Sequence, residues 1–310
     1  MKDWSLSLIF GVFFALLVLL ILLCSCREDA DLDRTSFLFR HFTLEEMNGE
    51  LPPPVDFDVF SCTHFGKTQA RVDQLLAEGY GCYRYVNILH CQPEAVTGEW
   101  YSPDTPWFNY LGQTVMLKWG AFLVNSPGDT AFFQYYDGDQ YLIDWSVLTE
   151  AQIHDVAQRL QELTGPGCSL FIDHYWPTGL SGWMFSDVQT WYRMTPDHRE
   201  RWKTSTINLV KTIRSYIGPD VITNGSWTAE PPIYLENSEN TPVGSFQDAL
   251  KLWRQDSRNV LSVRAHSSAW VDSAIFHWLL EGGNLAFSGG PVNEAYERAG
   301  RARALVEERR

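Results

Sequence analysis

Three carboxylates close apolar runs of this chain: Asp144 in YLID, Asp173 in LFID and Glu236 in IYLE. An acid at the end of a buried strand costs stability unless something pairs with it, so three such ends call for a reason. Hydrolysis of a glycosidic bond supplies one. One carboxyl group protonates the leaving oxygen while a second attacks the sugar or activates water. Polar residues end most of the other runs as well: His64, Asn87 and His90, Asn224, Arg264 and His266, and Ser288. Tyr175 and Trp176 follow Asp173 directly, Trp227 follows Asn224, and Trp100, Trp107 and Trp183 stand in long connections. Flat rings of this kind stack on the C–H face of a sugar. Each residue type also has a plainer use. A carboxylate can cap a helix or pair with Arg, Asn-Gly is an ordinary turn dipeptide, and tandem aromatics fill cores.

The elements that would position these residues alternate along the chain. From Val55, strand-like runs (VDFDVFSC, CYRYVNILH, QYLIDWS, CSLFIDHYW, DVITNGSW, IYLEN, NVLSVRA and NLAFSGG) are separated mostly by amphipathic helical segments. Continuous apolar strands alternating with such helices imply a parallel sheet covered on both faces. Eight units close a (β/α)8 barrel, an α/β fold of about 250 residues, which residues 55–310 accommodate. An open doubly wound sheet would carry a glycine-rich phosphate loop after its first strand, and THFGK there is not one. In the barrel, catalytic groups stand at the C-terminal ends of the strands, where all three carboxylates fall. Thr149 with Gln152 has the spacing of a capping box at the helix that follows Asp144. The stretch from Gln92 to Gly138 is too long for a turn and reads as an elaborated loop, predicted to form one wall of a cleft.

The chain carries 24 Lys+Arg against 38 Asp+Glu, a net charge of -14, which excludes a nucleic-acid backbone binder. Aromatics reach 14% of its 310 residues, with 13 Trp. That excess suits either a core of large side chains or a carbohydrate site. Residues 1–26 hold the apolar run Leu6–Leu23 and end in Leu-Cys-Ser-Cys, the pattern of a lipoprotein signal with Cys26 as the lipidated residue. An uncleaved membrane anchor is the alternative. Both place the rest of the chain in the cell envelope or outside the cell, attached to the membrane through this segment. Residues 27–54, acidic and then Pro-rich, read as a tether. Four Cys residues remain beyond the leader, too few for a disulfide scaffold, with Cys62 and Cys91 either bridged or free and buried. Cys62 with His64, or His90 with Cys91, lacks CxxC or HExxH spacing, so no metal or other cofactor is expected.

The order YLIDWS, LFIDHYW, VITNGSW and IYLEN resembles the glycoside hydrolases of the hypothetical glycosyl hydrolase family 15. It is similar, more distantly, to the endo-α-1,4-polygalactosaminidase family and to the α-galactosidase-like clan. The likeness runs from roughly Asp139 to Gly290. It implies a barrel in which Asp173 matches the strand-four Asp, Asn224 the "NG" Asn, and Glu236 the acid that follows. Where that pattern has Asp-Gly before the strand, this chain has Cys168-Ser169.

Together these features predict a monomeric, surface-tethered glycoside hydrolase of polysaccharides. Asp173 would be nucleophile or base and Glu236 general acid, on strands two apart whose inward side chains approach to about 5–9 Å. Asp144 would bind hydroxyls or raise a neighbour's pKa. Asn224, Tyr175, Trp176, Trp227, His64, Asn87 and Arg264 would contact sugar. A non-catalytic carbohydrate-binding barrel is the alternative, and a metal-dependent hydrolase or deacetylase using His64, His90 and the Asp residues is a third.

Overall fold

The computed structural model describes residues 37–42, 46–47, 57–62, 68–97, 105–126, 129–130, 132–135, 138–175, 194–226, 229–237, 243–266, 268–289 and 291–309. Eight parallel strands close a barrel. In chain order they are β1 (Phe37–Phe42), β2 (Val59–Cys62), β3 (Gly81–Asn87), β9 (Cys168–Asp173), β10 (Ile222–Asn224), β11 (Ile233–Asn237), β12 (Val260–Arg264) and β13 (Asn284–Ser288). β13 pairs back onto β1 with Phe39 opposite Ala286, which completes the ring.

Two strands differ from the sequence expectation. Phe37–Phe42, inside the stretch read as a tether, is the first barrel strand. Gln140–Ser146, read as the third, contributes instead to β8 (Gly138–Leu142), which pairs antiparallel with β4 (His90–Cys91) and β7 (Phe132–Tyr135) outside the barrel, and β5 (Val124–Ser126) pairs antiparallel with β6 (Asp129–Thr130). One strand gained early and one lost later leave Asp173 on the fourth barrel strand and Glu236 on the sixth.

Strand alternation divides the barrel into two packed layers. Phe39, Val59, Phe171, Ile222, Tyr234, Val260 and Ala286 fill the lumen with Tyr83 and Tyr85. Leu261, Val263, Leu285 and Phe287 face outward into a cluster shared with the surrounding helices. Those helices are α1 (Gln69–Ala77), α2 (Pro93–Thr97), α3 (Pro106–Tyr110), α4 (Glu150–Thr164), α5 (Pro196–Ile217), α6 (Val243–Trp253), α7 (Ser268–Glu281) and α8 (Val292–Glu307). α4 starts at Thr149 with the expected capping box: the Thr149 hydroxyl accepts from Gln152 N, and the Gln152 side chain accepts from Thr149 N. Gly165 and Gly218 follow α4 and α5 at φ 72° and 134°, conformations in which a side chain would be strained.

The long excursion between β3 and β9 packs beyond the C-terminal end of β3. Trp107 Nε1 donates to Asn87 O at 2.9 Å and Trp145 Nε1 to Ile88 O at 2.8 Å. Trp107 is buried in that packing, so it is an anchor of the excursion and not an open stacking ring. At the opposite end of the same strands, Cys82 and Cys168 are bridged across paired register positions, with Cα atoms 4.6 Å apart. Cys62 and Cys91 are free and buried, which settles the expected alternatives against a bridge between them. They face different packing clusters, one under α1 and one under the excursion. Among the described residues no helix is long and apolar enough to cross a membrane. Leu6–Leu23 and Cys26 lie outside those residues.

Candidate functional site

The C-terminal rim of the barrel gathers polar side chains whose strands all point them at the lumen. Asp173 ends β9 in register with Asn87 of β3, one pleat above Phe171, which lies inside the barrel. Its carboxylate accepts three hydrogen bonds. Tyr85 OH donates to Oδ2, Asn224 Nδ2 donates to Oδ1 at 3.0 Å, and His174 N donates to Oδ1 at 2.8 Å. Each donor comes from a different place: the neighbouring strand on one side, the neighbouring strand on the other, and the residue after the strand. Three donors on two oxygens hold Asp173 as an acceptor at a fixed orientation.

The backbone bends to make this possible. His174 adopts φ 56°, a left-handed conformation uncommon for a residue with a side chain, and the turn aims its own N–H back at Asp173. Tyr175 N then donates to Asn224 O at 2.8 Å, tying the chain after β9 to the end of β10. Gly225 sits at φ 128° against this crossing. A Cβ there would stand 2.7 Å from Tyr175 O. The Asn-Gly pair therefore marks a close approach of two backbones beside the carboxylate rather than a simple turn.

Behind Asp173 lies a buried polar chain. Asn87 Nδ2 donates to His90 Nε2 at 2.7 Å, and His90 Nε2 and His174 Nδ1 are 3.0 Å apart in a further hydrogen bond. The His174 Nε2 atom is 3.6 Å from Asp173 Oδ2. Burial, with His174 beside it, holds the His90 imidazole well below its usual pKa, so it is neutral near pH 7. Asn87 also accepts from Leu89 N at 2.8 Å. These contacts occupy Asn87 with shaping the loop behind the carboxylate, not with the open lumen.

His41 and Ser61, neither of them singled out in the sequence, complete this side of the rim. His41 Nδ1 and Ser61 Oγ are hydrogen-bonded at 2.7 Å, and the His41 ring packs 5.3 Å from Tyr85. The barrel wall crowds His41 and lowers its pKa, while Asp173 and Glu46 pull it back up. The residue is nevertheless solvent-exposed on β1. Sequence periodicity could not have found it, because it sits between Arg40 and Phe42 in a strand with no apolar alternation.

Across the barrel, β12 and β13 end in Arg264 and Ser288, which are register partners. Val260 and Ala286 line the lumen, so Ser262, Arg264 and Ser288 fall on the same inner face. The Ser262 and Ser288 hydroxyls are buried without a hydrogen-bond partner. Glu236 is in register with Ser262, one pleat before Arg264 on the adjacent strand. The Glu236 side chain lies outside the described part of the structure, as do His64, Trp176, Trp227, Trp100 and Trp183.

Two expected contacts move away from the rim. Asp144 follows β8, off the barrel, and is 1% exposed. It accepts from Ser146 N at 2.9 Å and Ser146 Oγ at 2.6 Å, and pairs with His198 Nε2 at 2.7 Å. It is the cap of a short 3-10 turn that lies off the barrel. Tyr175 is 5% exposed and packs in the cluster under the excursion, where burial raises its hydroxyl to about 12. Its ring is core and has no open face for a sugar. Among the described residues no group of His, Cys, Asp and Glu side chains is arranged to hold a metal ion.

No protein-family model and no curated protein matches the chain. Solved structures do. A GH31 dextranase of Flavobacterium johnsoniae in complex with isomaltotriose shares 11% identity at a TM-score of 0.52, over 86% of this chain and 38% of that one. The glycoside hydrolase domain of PelA from Pseudomonas aeruginosa shares 11% identity at a TM-score of 0.47, over 83% and 96%. The glucosidase II alpha subunit follows with 11% identity and a TM-score of 0.45, over 87% and 34%. At 11% identity the likeness to the dextranase is one of fold alone.

Proposed function

We propose that this protein is a glycoside hydrolase of polysaccharides, with Asp173 as nucleophile or base and Glu236 as general acid. The observation that carries the reading is the treatment of Asp173. Of the two aspartates that close apolar runs, Asp144 is consumed by a cap, while Asp173 is fixed at the lumen end of a barrel strand by donors alone. Donors alone suit a carboxylate that attacks a sugar or takes a proton from water. Glu236 stands two barrel strands further round, at the end where a partner acid belongs.

The exported, membrane-attached location is part of the same proposal. The Cys82–Cys168 bridge supports it, since such bridges persist in oxidising compartments. Lipid attachment at Cys26 is tested by Cys26→Ser, which abolishes lipid labelling if the leader is a lipoprotein signal.

The experiment for the activity is release of reducing ends from a panel of polysaccharides by the full chain, by Asp173→Asn and by Glu236→Gln. The wild type cleaves at least one member and both variants lose that cleavage while folding normally. Binding by the wild type without any cleavage would favour the carbohydrate-binding barrel instead. Cleavage retained by both variants would break the carboxylate pair.

A further inference from the structure

We propose that the β12–β13–β1 side of the barrel mouth is a subsite for the carboxylate of an acidic sugar, with Arg264 as its central contact. The inference rests on the glycosidase reading and names its substrate class, a uronate-containing glycan.

Among the described residues, Arg264 and the Ser262 and Ser288 hydroxyls on this side have no protein acceptors. Arg264 is half-buried at the end of β12, on the lumen face, and has no hydrogen bond or ion pair among the described residues. Most arginines in this part of the molecule are otherwise engaged: Arg40 with Glu46 and Asn293, Arg84 with Thr68 and Gln69, Arg254 with Glu281, Arg303 with Asp58. In a protein of net charge -14, a half-buried cation with no ion pair among the described residues stands out.

The groups around Arg264 share its character. Ser288, its register partner on β13, is on a strand about 4.8 Å away and carries a buried hydroxyl with no partner. Ser262 stands one pleat deeper with a second such hydroxyl and is wholly buried. The His266 ring lies over Gly289 just beyond the rim, 3.6 Å from where a Cβ of residue 289 would be. On β1, next round the barrel, His41 is anchored through Nδ1 to Ser61 and is solvent-exposed. A guanidinium fork with hydroxyl donors beside it matches the two oxygens of a carboxylate, which is planar and takes two parallel hydrogen bonds. A neutral sugar would leave the Arg264 charge unpaired when it closed the mouth.

The arrangement also places the anion away from Asp173. That carboxylate lies across the lumen on β9, where it already accepts three hydrogen bonds. An acidic substrate can therefore sit in a mouth that holds Asp173 without meeting it head-on.

The test uses the full chain with two sets of soluble glycans: polygalacturonate, alginate and hyaluronan against dextran, galactan and chitosan. Binding is measured by calorimetry and cleavage by reducing ends. We expect binding to at least one uronate polymer, weakened roughly 10- to 100-fold by Arg264→Gln and partly restored by Arg264→Lys. Thermal unfolding of Arg264→Gln should match the wild type, because the side chain has no partner among the described residues to lose. Cleavage of a neutral or amino polymer with KM unchanged by Arg264→Gln would overturn this subsite while leaving the glycosidase standing. Uronate binding that depends on Arg264 without cleavage would overturn the glycosidase and keep the subsite. Binding to neither set would overturn both.

Discussion

The two halves of the barrel mouth treat their polar groups in opposite ways. On β3, β9 and β10, Asp173 has three donors, and Asn87, His90 and His174 are linked by hydrogen bonds behind it. On β12 and β13, Arg264 and the Ser262 and Ser288 hydroxyls have no hydrogen-bond partners among the described residues. A satisfied cluster is one the fold has already organised, and it holds its geometry whether or not anything is bound. An unsatisfied one is less stable in the free protein and gains most when a ligand arrives. The first half therefore looks built to act and the second built to hold.

The sharpest way to break that contrast is Asp173→Asn. If the first half does chemistry, turnover falls on the order of 1,000-fold, measured as reducing ends from whichever polymer the parent cleaves. A loss of binding with no loss of turnover per bound substrate would move Asp173 into the holding half. Tyr85→Phe should have a smaller effect of the same kind. It removes one donor from Asp173 and leaves the ring, so turnover drops about 10-fold with KM little changed.

A third measurement addresses the buried chain behind the carboxylate. His90 in the folded protein has a pKa well below the 6.5 of an unfolded histidine. Between those two values the unfolded chain binds more protons than the folded one, so stability is complete above about pH 6.5 and is lost as pH falls towards the folded value. Urea unfolding at pH 7 and pH 5 should show that loss, and His90→Gln should flatten the difference. An unchanged pH dependence in the variant would mean that other groups set it.

The smallest expected effect belongs to the other half. Ser262→Ala deletes a buried hydroxyl that makes no bond, so stability should change by no more than about 0.5 kcal/mol, or rise. A loss well beyond that would show that Ser262 is partnered in solution, and the contrast between the halves would weaken.

The apolar runs and their amphipathic partners were enough to announce an eight-stranded α/β barrel, because a buried parallel strand needs little more than continuous β-branched and aromatic residues. Local signals were equally readable where they depend on a few adjacent residues, as in the Thr149–Gln152 cap. Asp173, Asn224 and Glu236 could be placed at strand ends for the same reason, and Asn224 does meet Asp173.

The membership of the barrel was decided elsewhere. FLFRHF hides β1 because Arg40 points outward to Glu46 and Asn293 while His41 points to the lumen, so neither face reads as apolar. YLID looks like a barrel strand, yet its pairing with His90–Cys91 and Phe132–Tyr135 puts it in a separate sheet, a choice made by hydrogen bonds between segments far apart in the chain. Asp144 and Asp173 carry nearly the same local sequence, and only their partners separate them: Ser146 and His198 for one, Tyr85 and Asn224 for the other. The disulfide follows the same logic, since Cys82 and Cys168 become neighbours only when β3 and β9 pair. Sequence alone determined which residues could do chemistry and that strands would carry them. Which of those residues meet, and which are left without a partner, was decided by strand pairing, because side-chain contacts across a barrel depend on register between segments that no local pattern encodes.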